Sequence, residues 1–231
     1  MISEKANIAN GSFIDETVEI ADDVKIYPNV YILGNSKIGK GTIIYPNTTI
    51  EDSVIGENCE IKSSYIEESV VKNNVQIGPF AHLRPHSVVG DDCKVGNFVE
   101  IKNATLGKGT KASHLAYVGD ADVGEDCNIG CGVIFVNYNG KSKNRTKVGN
   151  NCFIGSNCNV IAPVNIADNS YICAGTTQTV DTENDDFVIG RCREIIKKNR
   201  AHNYLKEMKE WDCFLRFVLW RYSLCLNQNN E

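Results

Sequence analysis

The chain has 231 residues, a formal net charge of −5 and 42% hydrophobic residues, a composition typical of globular proteins. Its mild acidity and the lack of a basic face argue against broad nucleic-acid binding. Residues 1–10 lack the apolar core of a signal peptide, and no run reaches the roughly 18 to 20 apolar residues that span a bilayer.

An aliphatic residue recurs at every sixth position along most of the chain. A period of six fits neither a helix nor a simple alternating strand. It is typical of the hexapeptide repeat of a β-helix, in which each short strand forms one side of a triangular coil. The anchors that define the period are Ile14, Ile20, Ile26, Ile32, Ile38, Ile44 and Ile50, then Ile77, Leu83, Val89, Val95 and Ile101, then Val148, Ile154, Val160, Ile166 and Ile172.

The repeat predicts a lead-in over residues 1–13 and an all-β coil over residues 14–180. The anchor and the residue four places later are expected to point inward, and the other positions to face outward. The anchor spacing shortens to five at four places, for example from Ile50 to Ile55 and from Ile101 to Leu106. These are interpreted as deletions at corners, which a solenoid tolerates because each coil contacts only its neighbours.

The ten cysteines are explained by the repeat rather than by disulfides. Five of them stand four residues after an anchor, where a small inward side chain is expected: Cys59, Cys93, Cys127, Cys152 and Cys158. The paired spacing of a zinc site is missing, so no metal is expected. Free cysteines in this number favour a reducing cytoplasm.

The anchors stop between Phe135 and Val148, where residues 136–147 read VNYNGKSKNRTK. The Asn-Gly pair marks a turn, and the segment is interpreted as a protruding basic loop. Such a loop can be a solvated excursion, but insertions in solenoids often line the binding face.

Residues 181–231 are expected to form a C-terminal arm with a helix. The arm begins with an acidic stretch, and residues 213–226 (CFLRFVLWRYSLCL) are rich in large apolar side chains. A packing helix is the favoured interpretation, and a membrane-surface helix is the alternative. The segment is too short to span a bilayer.

A site on such a coil must be built from outward positions. Arg84 and Lys102 follow anchors and are 18 residues apart, so they should stack on successive coils. Two cations this close repel unless an anion lies between or beside them, so they are either solvated side chains that point apart or a phosphate or carboxylate clamp. His114 also faces outward, near Tyr117 and the basic loop, and histidine is a common general base near neutral pH. We also consider Glu100 as a residue that orients His114.

Three segments resemble a known family: GNFVEIKNATLGKGTKASHLAYVGDADVGEDCNIGCG, VNYNGKSKNRTKVGNNCFIGSNCNVIAPV and YICAGTT. They are similar to the acetyltransferase domain of the bifunctional N-acetylglucosamine-1-phosphate uridyltransferase / glucosamine-1-phosphate N-acetyltransferase. The resemblance covers about residues 84–191 and extends more loosely toward the start. It implies a left-handed β-helix, a hand that periodicity alone does not give, and a homotrimer with three active sites in the clefts between neighbouring coils.

The resemblance also implies roles for individual residues. His114 matches the proton acceptor of an enzyme that acetylates glucosamine 1-phosphate with acetyl-CoA. The sugar phosphate is implied to contact Arg84, Lys102, Tyr117, Asn128 and Lys143. Acetyl-CoA is implied to contact Cys131, Asn137, Tyr138, Ser156, Ala174 and Arg191.

The chain departs from the family pattern in several places. Cys131 stands where the family usually has alanine, Asn139 replaces an aspartate of the loop, and residues 213–226 do not resemble the family's tail. No Gly-rich nucleotide loop is recognised, so a separate uridyltransferase is expected to complete the route and to be a possible partner. Two alternatives stay open: an acetyltransferase for another amino sugar phosphate or nucleotide sugar, and a non-catalytic trimeric partner of a nucleotidyltransferase.

Overall fold

The computed structural model describes residues 1–205. The chain divides into two compact units, Met1–Arg191 and Cys192–Glu231. The first unit is a solenoid of short parallel strands that lie on three faces, visited in turn by each coil. The predicted hexapeptide β-helix is therefore confirmed.

The strands are grouped here by face. Face 1 holds β1 (Asn7–Ile8), β4 (Lys25–Ile26), β7 (Ile43–Ile44), β10 (Glu60–Ile61), β13 (Gln76–Ile77), β20 (Asn128–Ile129), β23 (Phe153–Ile154), β26 (Tyr171–Ile172) and β28 (Phe187–Val188). Face 2 holds β2 (Phe13–Ile14), β5 (Val30–Leu33), β8 (Thr48–Glu51), β11 (Tyr65–Glu67), β14 (His82–Leu83), β21 (Ile134–Val136), β24 (Asn159–Ile161) and β27 (Thr177–Gln178). Face 3 holds β3 (Glu19–Ile20), β6 (Lys37–Ile38), β9 (Val54–Ile55), β12 (Val70–Val71), β15 (Val88–Val89), β17 (Thr105–Leu106), β19 (Ala121–Val123), β22 (Thr146–Val148) and β25 (Asn165–Ile166).

Two long strands join faces 1 and 2. Strands β16 (Lys94–Lys102) and β18 (Lys111–Gly119) begin on face 1 and continue around the corner onto face 2. Their pairing is in register throughout, from Lys94 opposite Lys111 to Lys102 opposite Gly119. Continuous strands on two successive coils make this the most extensively paired corner of the solenoid.

The anchors stack in register across coils even where their spacing shortens. Ile14 lies opposite Ile32, whereas Ile50 lies opposite Ile66 after a shortened turn. The shortened turns therefore remove a corner residue and leave the inward row unbroken. Every anchor in the three series is buried except Ile14, which is half-buried. Burial of each such side chain contributes about 1.5 to 3 kcal/mol.

The five inward cysteines are buried and unpaired, as the repeat predicts. Burial raises the pKa of Cys93 to about 11, because the low-dielectric interior disfavours the thiolate. These thiols are therefore packing groups of the core.

The turns between faces use left-handed backbone, which favours Gly, Asn and Asp. Gly41, Asn58 and Asn74 fill successive turns of one corner in this conformation. At the corner between faces 1 and 2, however, three bulky residues adopt positive φ: Phe80 (60°), Phe98 (57°) and Leu115 (38°). Their side chains form a row of exposed apolar groups, here called the corner ridge.

The solenoid is longer at both ends than the predicted span of 14–180. It begins with β1 at Asn7, and it ends with β28 at Phe187–Val188, beyond the acidic stretch. Ile8 of β1 stands six residues before Ile14 and so continues the period, whereas Val188 of β28 follows its partner Ile172 by 16 residues and departs from it. The ends of the predicted loop 136–147 also lie in strands β21 and β22, which leaves residues 137–145 as the protruding part.

The second unit is described only to residue 205. Its described residues contain one turn of 3₁₀-helix, Ala201–Asn203. The predicted helix at 213–226 lies outside the described residues. Within residues 1–205, no helix is long and apolar enough to cross a membrane.

Candidate active site

His114 lies at the corner between faces 1 and 2, within β18, and its side chain is exposed. Its Nδ1 atom is 2.8 Å from Oδ1 of Asn97, the residue opposite it on the preceding coil. An amide oxygen only accepts hydrogen bonds, so Nδ1 donates, and Nε2 is the nitrogen that can accept a proton when the ring is neutral. The arrangement suits a proton acceptor at Nε2.

The hypothesis that Glu100 orients His114 is wrong. Glu100 pairs in register with Tyr117 on face 2, and its Oε1 atom binds Nη1 of Arg84 at 2.9 Å. Because the strands turn a corner between the position of His114 and that of Glu100, the Glu100 side chain lies on face 2 and does not contact His114. Sequence reasoning missed Asn97 because only the continuous pairing of β16 with β18 places it under His114.

Small residues continue upward from His114 along the same corner, one on each coil. Pairing of Ala112 with Ile129, of Ile129 with Ile154 and of Ile154 with Ile172 fixes the register. The member of this row on each coil stands two residues after the anchor. The row is here called the corner ladder and consists of His114, Cys131, Ser156 and Ala174. With coils 4.7 to 4.9 Å apart, the ladder runs for about 14 Å.

Glycines keep the side of the ladder free of side chains. A Cβ at Gly130 would lie 2.6 Å from the backbone N of Ser156, and one at Gly155 would lie 2.4 Å from that of Ala174. At the far end, Nη1 of Arg191 donates to the carbonyl of Ala174 at 3.0 Å. The result is a narrow exposed track with polar backbone at its edge and a cation at its end.

Three cations meet on face 2. Arg84 and Lys102 directly follow Leu83 and Ile101, which pair in register, so the predicted stacking of the two cations is confirmed. The ammonium of Lys143, reaching over from the loop, lowers the pKa of Lys102, with smaller contributions from burial and Arg84. The pKa of Arg84 is raised, chiefly by its hydrogen bond to Glu100. Positive charges crowded in this way form a site suited to a multiply charged anion.

Tyr117 and Asn137 close one side of this cation cluster. The ring of Tyr117 folds over Gly119, where a Cβ would lie 2.4 Å from the Tyr117 hydroxyl oxygen. Nδ2 of Asn137, a buried residue at the start of the loop, donates to that hydroxyl at 3.3 Å. The same amide group donates to Asp120, which sequence reasoning did not single out.

One predicted residue, Asn128, lies on a different face from the cation cluster, and another, Tyr138, pairs with Lys143 on the loop. Asn128 stands on face 1, opposite Lys111, whereas Tyr117 and Lys102 belong to face 2. Tyr138 is exposed on the loop, and its hydroxyl donates to the Gly140 carbonyl at 2.8 Å.

The repeated hexapeptide strands and the outward-facing site define the class of protein. The family model "Bacterial transferase hexapeptide (six repeats)" matches residues 17–52, 68–103 and 145–177. The chain thus carries hexapeptide repeats of this kind, and it is similar to the C-terminal part of the bifunctional protein GlmU.

Two such relatives illustrate the similarity. The GlmU of Clostridium kluyveri is 46% identical over 201 residues, which cover 87% of this chain and 44% of that protein. The GlmU of Caldicellulosiruptor saccharolyticus is 52% identical over 187 residues, covering 81% and 40% respectively. This chain therefore spans less than half the length of the curated relatives it matches.

Among solved structures, the UDP-N-acetylglucosamine acyltransferase of Francisella novicida shares 16% sequence identity. The TM-score is 0.43, and the match covers 80% of this chain and 63% of that one. A likeness at this level does not bear on activity.

Proposed function

We propose that this chain transfers the acetyl group of acetyl-CoA to the amine of glucosamine 1-phosphate. The observations that carry the proposal are the corner ladder, which begins at His114, and the cation cluster, which lies on face 2 of the neighbouring coils. One site would hold an extended acyl carrier and the other a phosphorylated acceptor, with a proton acceptor between them. Similarity to GlmU supports the choice of substrates.

The acceptor would bind through its phosphate. Arg84, Lys102 and Lys143 offer charge-assisted hydrogen bonds to phosphate oxygens, which are roughly twice as strong as neutral ones. An anion would also relieve the repulsion that lowers the pKa of Lys102. Tyr117, held by Asn137, would border the sugar.

The acyl carrier would lie along the corner ladder. The absence of side chains at Gly130 and Gly155 lets an extended chain approach the backbone of the neighbouring coil. Cys131, Ser156 and Ala174 would line this track, Arg191 would meet the charged end of the carrier, and Asn137 and Tyr138 would contact it from the loop.

His114 would act as the general base. As the substrate amine attacks the thioester carbon, a C–N bond forms, the C–S bond breaks and the CoA sulfur leaves as a thiol after taking up a proton. Nε2 of His114 accepts the proton lost by the amine, while Asn97 holds Nδ1–H in place. A positioned base of this kind contributes about 10² to 10⁴ in rate.

We further propose that the active form is a homotrimer. Asn128 on face 1 cannot join the face 2 cluster of its own chain, so a complete site would need a second subunit. The corner ridge supports this, since Phe80, Phe98 and Leu115 are 57–60% exposed and hold left-handed backbone that costs of order 1 to 3 kcal/mol each. Exposed rows of large apolar residues mark protein interfaces.

Sedimentation velocity tests the trimer. Phe98→Asn removes an apolar ring and suits left-handed backbone, so it should yield monomers that fold but lack activity. The control Phe13→Asn removes a ring of similar exposure and should leave the trimer intact. A fully active monomer at assay concentration would contradict the proposal.

Turnover with a panel of acceptors tests the reaction itself. Release of CoA thiol would be measured with acetyl-CoA and amino sugar 1-phosphates that differ in sugar stereochemistry or lack the phosphate. Glucosamine 1-phosphate should be preferred, and loss of the phosphate should abolish turnover. Failure of the pure trimer to acetylate any of these acceptors would refute the assignment. The buried free thiols fit a reducing compartment, and we place the reaction in the cytoplasm.

A further inference from the structure

Asp120 is a buried carboxylate, 7% exposed, between strands β18 and β19. It lies in left-handed backbone with φ of 48°. A buried charge is costly unless it is paired or hydrogen-bonded, so its partners indicate why it is there. None of the roles considered above uses this residue.

The side chain of Asp120 joins the body of the solenoid to the start of the loop. Oδ1 accepts a hydrogen bond from Nδ2 of Asn103, one coil below, at 2.5 Å. Oδ2 accepts from Nδ2 of Asn137, which also reaches the hydroxyl of Tyr117. One carboxylate thus fixes the amide that borders the cation cluster.

The backbone of Asp120 holds the other end of the loop. Its carbonyl accepts from the N–H of Thr146 at 3.0 Å, and its own N–H donates to the carbonyl of Lys102 at 3.0 Å. Within the loop, the N–H of Asn144 donates to the carbonyl of Asn137 at 2.7 Å. Both stems of the 137–145 loop are therefore tied to the same residue.

The hydrogen bonds of Asp120 hold the loop in place although two of the neighbouring lysines repel each other. Lys143 of the loop lies close enough to Lys102 to lower its pKa, so the two ammonium groups repel each other. The carboxylate of Asp120 is near enough to Lys102 to oppose that change. Arg145 adds a second attachment, through its Nε bond to Asp122 at 2.7 Å.

We propose that Asp120 is a positioning residue that fixes the 137–145 loop, and with it Asn137 and Lys143, against the cation cluster on face 2. It does not touch substrate itself. The proposal rests on the proposed function for its kinetic consequences, but the position of the loop can be measured without turnover.

The test uses Asp120→Asn together with a compensating change. The amide introduced at position 120 can accept from only one of the two flanking donors, so one buried N–H group loses its partner. Adding Asn103→Asp converts that neighbour into an acceptor and restores both hydrogen bonds with the carboxylate moved one coil down. Asp92→Asn is the matched control, since Asp92 also lies in left-handed backbone and accepts from an asparagine, Asn74, on the coil below.

Two readouts are expected to change together in the single variant. Amide hydrogen exchange at Asn144 and Thr146 should accelerate by about tenfold or more, and KM for both substrates should rise by a similar factor. The double variant should regain wild-type values within about threefold, and Asp92→Asn should not change either readout. Even if the single variant folded poorly, recovery in the double variant would support the proposal.

The proposal is overturned if Asp120→Asn leaves loop exchange and both KM values unchanged. It is also overturned if the folded double variant restores neither readout. If the wild-type protein fails to transfer acetyl groups, the proposed function falls, and hydrogen exchange alone then decides whether Asp120 holds the loop.

Discussion

Nδ1 of His114 lies 2.8 Å from Oδ1 of Asn97, the residue directly opposite it on the neighbouring coil. An amide in this place fixes the ring and its tautomer without putting a negative charge beneath it. A carboxylate at the same distance would stabilise the imidazolium form instead. The pair therefore orients the ring so that Nε2 is the nitrogen left to accept a proton.

Asn97→Asp is expected to move the acidic limb of the pH profile of kcat/KM to higher pH. The added carboxylate stabilises the protonated ring, so the unprotonated base becomes available only in more alkaline solution. The control Asn47→Asp adds the same charge at a remote left-handed turn. Superimposable profiles for the two variants would show that Asn97 does not act on His114.

His114→Ala is expected to lower kcat by at least about a hundredfold, the usual contribution of a general base. Binding of acetyl-CoA, measured by calorimetry, should change little because His114 occupies only the first position of the corner ladder. His86→Asn, at a left-handed turn on another corner, serves as the control. Near wild-type turnover in pure His114→Ala would remove this residue from the mechanism.

Gly119→Ala is expected to impair acceptor binding without unfolding the protein. The new methyl group would overlap the hydroxyl end of the Tyr117 ring, which can swing away at small cost to stability. KM for the sugar phosphate should rise about tenfold, while KM for acetyl-CoA and the unfolding midpoint stay near wild type. A selective rise in KM for acetyl-CoA would place Tyr117 in the wrong half of the site.

Binding of the sugar phosphate in alkaline buffer is expected to take up a proton at Lys102. In the free protein, the pKa of Lys102 lies below its ordinary value of 10.5, chiefly because of Lys143 and to a smaller extent because of burial and Arg84. A bound anion would raise it again. Affinity should therefore fall as the pH rises through the lowered pKa. Calorimetry in two buffers of different ionisation enthalpy measures the uptake, which should shrink in Lys143→Gln. Equal uptake in both proteins would contradict this account.

Ala174→Trp is expected to block the corner ladder. The indole would fill the track one coil beyond Ser156, so the Kd for acetyl-CoA should rise by about tenfold or more, with sugar-phosphate binding unchanged. Val180→Trp, at an exposed position six residues further on, controls for the added ring. Unimpaired acetyl-CoA binding by Ala174→Trp would show that the acyl carrier takes another path.

The sequence alone determined the solenoid and the direction of its side chains. Residues such as Ile101 and Cys127 could be placed inward because, in a triangular coil of hexapeptide repeats, the same position of every repeat faces the core. The stacking of Arg84 on Lys102 followed from the same arithmetic. Strand β28 was missed because Val188 follows its partner Ile172 by 16 residues, which breaks the six-residue period. Strand β1 could have been predicted, since Ile8 stands six residues before Ile14.

The tertiary structure decided which outward residues meet. Asn97 and Glu100 are three residues apart in β16, which turns a corner between them. As a result Asn97 contacts His114, whereas Glu100 contacts Arg84. Asp120 gained its role from a loop that returns to it after more than twenty residues, a closure that local sequence does not encode. The repeat predicts which residues stack on successive coils, whereas the contacts at corners and loops depend on where the backbone turns.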